Sequence, residues 1–214
     1  QYWHQGSPLI PGSNEDGDRF GAALAVGDFN GDYYDDLAIG CPGEDIGSIQ
    51  SAGMIVILYG SPVGLRGIGA HSFYQDKLGS LYSSNAAYSS EAGDLFGFSL
   101  ASGDFNNDEY DDLAVGVPFE DLPYPGSNSI CEDTGMVHLF AGGSLGLDSS
   151  YQVGWTPYLP YTTLGPTATA TQATMGFALA TGNLNGDEYT DLVVTAPHKT
   201  TYFTVHSGEA DLYR

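Results

Sequence analysis

Positive charge is scarce in this chain. Five Lys and Arg stand against 27 Asp and Glu, a formal net charge of −22 over 214 residues. A surface that acidic repels phosphate groups instead of releasing their counterions, which excludes nucleic acid and anionic membranes as natural partners. Long apolar runs are missing too. The longest, Met54 to Tyr59, falls far short of the roughly 20 residues that span a bilayer, so no membrane insertion is expected. Cysteine is limited to Cys41 and Cys131, too few to define a disulfide framework by count. Good helix formers are thin on the ground, whereas Gly numbers 30, Tyr 15 and Pro 11, a balance that disfavours helices and points to an all-β chain. The sequence opens on Gln1 without a Met, as expected of a mature product or an excised segment. Apolar residues at 42% and aromatics at 13% exceed what a disordered acidic tail carries, so a soluble domain with a buried core is expected.

What is present is a repeat. RFGAALAVGDFNGDYYDDLAIGCP (19–42), LFGFSLASGDFNNDEYDDLAVGVP (95–118) and TMGFALATGNLNGDEYTDLVVTAP (174–197) align without gaps, at periods of 76 and 79 residues. A second block follows each copy: GMIVILYGSPVGL from Gly53, GMVHLFAGGSLGL from Gly135, and a shorter GEADLYR from Gly208. Within a unit, FGAALAVGDF and DLAIGCP alternate small or polar with apolar residues, and GMIVILYG is a short apolar run between glycines; each reads as a strand. A weaker fourth strand is expected in HSFYQDKLG (71–79) and in SSYQVGWTPY (149–158). Four antiparallel strands at this period describe the blade of a β-propeller. The expected architecture is one region, 1–214, of three four-stranded antiparallel blades with inner strands starting near 19, 95 and 174. Residues 1–10 are read as an orphan outer strand, because Tyr2-Trp3-His4-Gln5 resembles HSFYQ, and that strand is expected to complete a terminal blade. Three blades leave the ring incomplete, since closure typically takes four to eight. Further blades in a longer parent chain, or other copies through terminal strand exchange, are the expected means of completion, as a ring or a filament.

Between the first two strands of each unit lies an oxygen-rich loop. Its donors are Asp28, Asn30, Asp32, Tyr34 and Asp36 in the first unit, and Asp104, Asn106, Asp108, Tyr110 and Asp112 in the second. The third has Asn183, Asn185, Asp187, Tyr189 and Asp191. Side-chain oxygens at loop positions 1, 3, 5 and 9, with the position-7 carbonyl of the tyrosine, suit a hard cation that takes six to eight oxygens, so Ca²⁺ is expected at three sites. Zinc would want His or Cys, which the loops lack. Position 4 is Gly31, Asn107 or Gly186, residues that adopt the left-handed backbone a doubling-back loop needs. Asn183 leaves the third loop with two carboxylates and the weakest expected affinity. Asp35 and Asp111, at position 8, are read as solvated, and Glu44-Asp45 and Glu120-Asp121 as exposed loop acids.

Phe-Gly opening the units, a D-x-N-x-D-x-x-x-D loop and a closing Gly-x-Pro or Ala-Pro together resemble the FG-GAP repeat. Repeats of this kind occur in the seven-bladed propeller at the head of integrin α subunits, in fungal lectins, and in the non-catalytic part of a glycosylphosphatidylinositol-specific phospholipase D. The resemblance covers essentially the whole chain. It implies calcium in the three loops and inner-strand packing by Phe20-Gly21, Phe96-Gly97 and Met175-Gly176. Glycine, frequent in the family at loop position 6, is here Tyr33, Glu109 and Glu188.

No enzyme is expected, because the paired carboxylates are engaged with metal and the five His are scattered along the chain. Adhesion, protein–protein interaction or self-assembly at the cell surface or outside the cell is the first reading. A lectin that stacks sugars on Trp3, Trp155 or tyrosines and an accessory propeller of a larger enzyme are the alternatives. Cys41 and Cys131 belong to matching turns of adjacent units, and a disulfide between them is expected.

Overall fold

The computed structural model describes residues 1–77, 89–123, 129–147, 172–198 and 209–213. The first unit forms an antiparallel sheet ordered β1 (Ala23–Gly27), β2 (Asp36–Cys41), β3 (Met54–Tyr59) and β4 (Arg66–Phe73). In the second unit β5 (Ser99–Gly103), β6 (Asp112–Val117) and β9 (Met136–Phe140) form a sheet, with β7 (Leu122–Pro123) and β8 (Ile130–Cys131) as a separate hairpin. The third unit adds β10 (Leu179–Gly182), β11 (Asp191–Ala196) and β12 (Glu209–Tyr213). Apart from one 3-10 turn, Gln75–Lys77, the described residues hold no helix. None therefore is long and apolar enough to cross a membrane.

Register repeats with sequence. Leu24 pairs with Ile39, Leu100 with Val115, and Leu179 with Val194. The sheets stack through their first strands, β1 against β5 and β5 against β10, which is how blades of a β-propeller pack around an axis. Three apolar layers result. Ile55 and Ile57 on one face of β3 join Phe96, Leu113, Val115 and Phe140 between the first two sheets, while Val56 and Leu58 on the other face join Ile10, Ile39, Cys41 and Met54. Burial on both faces is why MIVILY is a continuous apolar run and not an alternating one. Ala101, Ala114 and Val137 meet Leu192 and Val194 between the second and third sheets.

Two repeated glycine contacts set the spacing of the units. A Cβ at Gly40 would lie 2.2 Å from the carbonyl oxygen of Gly97, and one at Gly116 would lie 2.2 Å from that of Gly176. The Gly of Gly-x-Pro in one unit thus receives the Gly of Phe-Gly in the next, so the two halves of the motif meet across a sheet-to-sheet contact. The aromatic partner follows suit: Phe20 packs on the Val56 layer, Phe96 is fully buried in the Phe140 layer, and Met175 packs on the third layer.

Three expectations are corrected. The fourth strand of the first unit is Arg66–Phe73 and not 71–79; it begins earlier because a bulge in β3 lets Tyr59 pair with Arg66, and it ends where Gln75–Lys77 turns. The matching stretch at 149–158, Trp155 included, lies outside the described residues, as does His206. Residues 1–10 form turns and no strand. The His4 amide is capped by Ser7 Oγ at 3.1 Å, and the Gln1 side chain holds Leu65 through both its amide nitrogen and its oxygen. Trp3 packs on the outer layer of the first sheet, so this segment is held against its own unit. Finally, no disulfide joins Cys41 to Cys131. Cys41 is fully buried among Ile10, Ile39 and Met54, and burial followed by the charges of Glu44 and Asp18 pushes its thiol up to about 12. Cys131 is held in the β7–β8 hairpin opposite Leu122.

Among the described residues His138 is the one buried imidazole, 1% exposed, and it stands on β9 where Val56 stands on β3. Burial lowers it from 6.5 to about 4. The unfolded chain then binds a proton that the folded chain refuses, so this stability is complete above pH 6.5 and is lost as pH falls towards 4, by about 3 kcal/mol at most. The raised carboxylates described below act in the opposite direction, so the variant is the control. His138→Val should lose less stability between pH 6.5 and 4.5 in urea melts than the parent; equal losses would refute this assignment.

Candidate metal centre

Each loop between a unit's first two strands is folded by its own carboxylates. In the first, both Asp28 oxygens accept backbone amides, from Asp32 at 3.0 Å and Tyr33 at 2.8 Å. Asn30 Oδ1 accepts the Asp32 amide at 2.9 Å and Asp32 Oδ1 that of Tyr34 at 3.0 Å. Asp36, fully buried at the start of β2, accepts the amides of Phe29 (3.1 Å) and Gly60 (2.8 Å) and so locks loop to sheet. The second loop repeats this with Asp104 accepting from Asp108 and Glu109, Asp108 from Tyr110, and Asp112 from Phe105 and Gly142. Left-handed backbone occurs at Gly31, Asn107 and Gly186, as expected. It also occurs at Tyr33 and Glu109 (φ 67° and 73°), which explains the family's taste for glycine at position 6: a side chain there costs about 1 kcal/mol.

The electrostatics of these loops call for a cation. Burial, followed by the charges of Asp32 and Asp28, pushes Asp36 up to about 6 against the amides that hold it down. Burial, then Asp108 and Asp104, does the same to Asp112. None of the chain's five basic residues lies in a loop. Among the described residues no three Asp, Glu, His or Cys side chains form a ready-made metal cluster; the donor set includes Asn side chains and tyrosine carbonyls instead. The fit is best in the second loop, where Asn106 Oδ1 is shielded from solvent and has no hydrogen-bond partner. An orphaned, hard acceptor between carboxylates matches calcium chemistry.

The third loop differs. Asn183 Oδ1 takes the Gly186 amide, and the Asn185 amide nitrogen bridges Asp187 (2.7 Å) and Asp191 (3.3 Å). Here side-chain amides already soothe the two carboxylates.

At position 8 Asp35 is exposed, as expected, whereas Asp111 is half-buried and engaged. Asp111 Oδ2 accepts the Asp28 amide at 2.9 Å, and the Asp111 amide donates to the Asp28 carbonyl at 3.1 Å. Thr190 makes the corresponding backbone bond to Asp104 at 3.0 Å. Position 8 of one unit therefore clamps position 1 of the preceding loop. Only the in-register spacing of Asp111 and Thr190 hinted at it, since a contact between units leaves no local signature. Glu44 and Glu120, read as exposed, are 4% and 0% exposed; the proline turn before each directs its side chain inwards. Among the described residues, His71 leans on Tyr59, His138 is in the core, and His198 meets Thr174.

Known sequences agree with this geometry. The FG-GAP repeat pattern matches residues 20–58, 96–140 and 175–211. Phosphatidylinositol-glycan-specific phospholipase D of Bos taurus is 30% identical over 188 residues, covering 84% of this chain and 19% of the relative. Integrin alpha-PS2 of Drosophila melanogaster is 30% identical over 195 residues, covering 84% and 12% respectively. Integrin alpha-M of Mus musculus is 40% identical over 102 residues, or 46% of this chain and 8% of the relative. The chain thus spans less than a fifth of the length of these relatives. With the repeat pattern on three units, and with the paired glycines that join one unit to the next, the chain belongs to the FG-GAP repeat family of integrin α-like β-propellers.

Proposed function

We propose that this chain is a calcium-stabilised, non-enzymatic propeller module of the cell surface or extracellular space, which presents its loops to a protein partner or to further copies of itself. The observation that carries the reading is the buried, unpartnered Asn106 Oδ1 amid Asp104, Asp108 and Asp112. Calcium there would neutralise the loop and fix the strand that follows; it supplies structure and no reaction step. Asp28, Asn30, Asp32 and Asp36 with the Tyr34 carbonyl would hold a second ion, and Asn183, Asn185, Asp187 and Asp191 with the Tyr189 carbonyl a third and weaker one. Self-assembly through Tyr2–Gln5 has little support, because that segment is pinned to its own unit; contacts between loop faces are the favoured route.

A second reading, an accessory propeller within a larger enzyme, is favoured by the phospholipase D relatives. The lectin reading is separated by a glycan array probed with calcium and again with chelator. No glycan retained in either condition is the expected result, and calcium-dependent retention of a sugar would overturn the protein-partner reading.

A further inference from the structure

Away from the loops, two units share a buried arrangement to which the proposed function gives no role. Gln75, 3% exposed, donates its amide to Glu120 Oε2 at 2.5 Å, and Glu120 is fully buried. Glu120 Oε1, Gln75 Oε1 and Ser90 Oγ are all shielded from solvent and have no hydrogen-bond partner. Asp94, 2% exposed, is the charge that weighs most on Glu120, followed by Glu91 and Asp121. The first unit repeats this. Gln5, 2% exposed, donates to Glu44 Oε2, leaves its own Oε1 without a partner, and lies where Asp18 is the foremost charge on Glu44. Asp18 and Asp94 accept the amides of Glu15 and Glu91 in the same way.

We propose that Glu120, Asp94, Gln75 and Ser90 form a second kind of calcium site, and that Glu44, Asp18 and Gln5 form its counterpart in the first unit. Two buried carboxylates with no basic partner carry about two negative charges out of water, which is unfavourable unless a cation or protons join them. Lys77, beside Gln75, directs its ammonium to Ser72 instead. Unpartnered carboxylate, carboxamide and hydroxyl oxygens are all hard donors, and their number and charge suit a divalent ion. An open cavity of about 540 Å³, lined by Glu91, Asp94, Asp121, Glu132 and Asp133, leads to Asp94 from solvent and gives the ion an acidic entry path. At the corresponding positions of the third unit the sequence has Ala173 for Asp94 and Lys199 for Glu120. By sequence the third unit lacks both carboxylates, and no ion is expected there.

Equilibrium dialysis of the full chain against calcium chloride tests this. Glu120→Gln and Glu44→Gln keep shape and remove one charge each. Each should weaken one bound calcium by at least tenfold, so that one fewer ion per chain is counted at a fixed subsaturating concentration. Asp32→Ala and Asp108→Ala report the loop sites separately, so failure of either assignment is distinguishable from failure of the other. Should the glutamine variants not fold, Gln75→Glu places a third carboxylate on the site and should tighten calcium binding there. An unchanged ion count in the glutamine variants would overturn the proposal. So would a Gln75→Glu chain that loses stability without gaining calcium affinity, an outcome that assigns the buried pair a shared proton.

Discussion

Chelation should lower the melting temperature of this protein, and the effect of Asp32→Ala or Asp108→Ala should change sign with it. A ligand that binds only the folded chain stabilises it by RT ln(1 + [L]/Kd), about 2.7 kcal/mol per site at a hundredfold excess over Kd. Two well-formed loops would then contribute about 5 kcal/mol. With calcium present, removal of Asp32 or Asp108 deletes a ligand and should cost a large part of one site's share. In chelator the same carboxylates add their charge to the burial that already pushes Asp36 and Asp112 up to about 6; Asp32 gives up the Tyr34 amide and a 3.3 Å bond from the Asn30 side-chain amide, and Asp108 the Tyr110 amide. Their loss should therefore be neutral or stabilising. Asp187→Ala, at the same position of the amide-bridged third loop, should show the smallest dependence on calcium. Thermal melts of four chains in two buffers suffice; an Asp108→Ala effect that is the same in calcium and in chelator would refute the metal reading of that loop.

Gly40→Ala should be strongly damaging for a single added methyl, and so should Gly116→Ala. The added carbon would sit 2.2 Å from the Gly97 or Gly176 carbonyl oxygen, and backbone on both sides cannot yield without opening the contact between sheets. Overpacking of this kind costs about 3 kcal/mol. Gly21→Ala is the matched control: its φ of +88° strains a side chain, yet nothing lies within 4 Å of the new carbon. About 1 kcal/mol is expected there. Urea midpoints should therefore fall far more for Gly40→Ala than for Gly21→Ala, and equal shifts would show that backbone conformation, not the approach of neighbouring sheets, requires glycine at position 40.

The repeat makes the first three strands of a unit and the loop between the first two legible in the sequence, because alternation in β1 and β2 and the apolar run in β3 are local patterns with one structural meaning. The left-handed positions Gly31, Asn107 and Gly186 were legible for the same reason. Contacts between units were not. Asp111 looked like one more exposed acid next to its own ligands, and its partner, the Asp28 amide, lies 83 residues away. Glu120 resembled a loop acid because its burial depends on Gln75, 45 residues earlier. The N-terminal segment shows the same limit in a different form. Trp3-His4-Gln5 does correspond to Phe73-Tyr74-Gln75, but in the glutamine that reaches a buried glutamate and not in strand pairing. Burial of Cys41 in an apolar layer was likewise invisible to a count of two cysteines.

The most direct test of the account is an anomalous difference map from crystals grown in calcium and soaked with a lanthanide that replaces it. Metal peaks are predicted inside the loops at 28–36 and 104–112, in contact with Asp28, Asp32 and Asp36 and with Asp104, Asn106, Asp108 and Asp112, and a weaker peak is predicted at 183–191. Well-ordered loops with no anomalous density among these oxygens would contradict it.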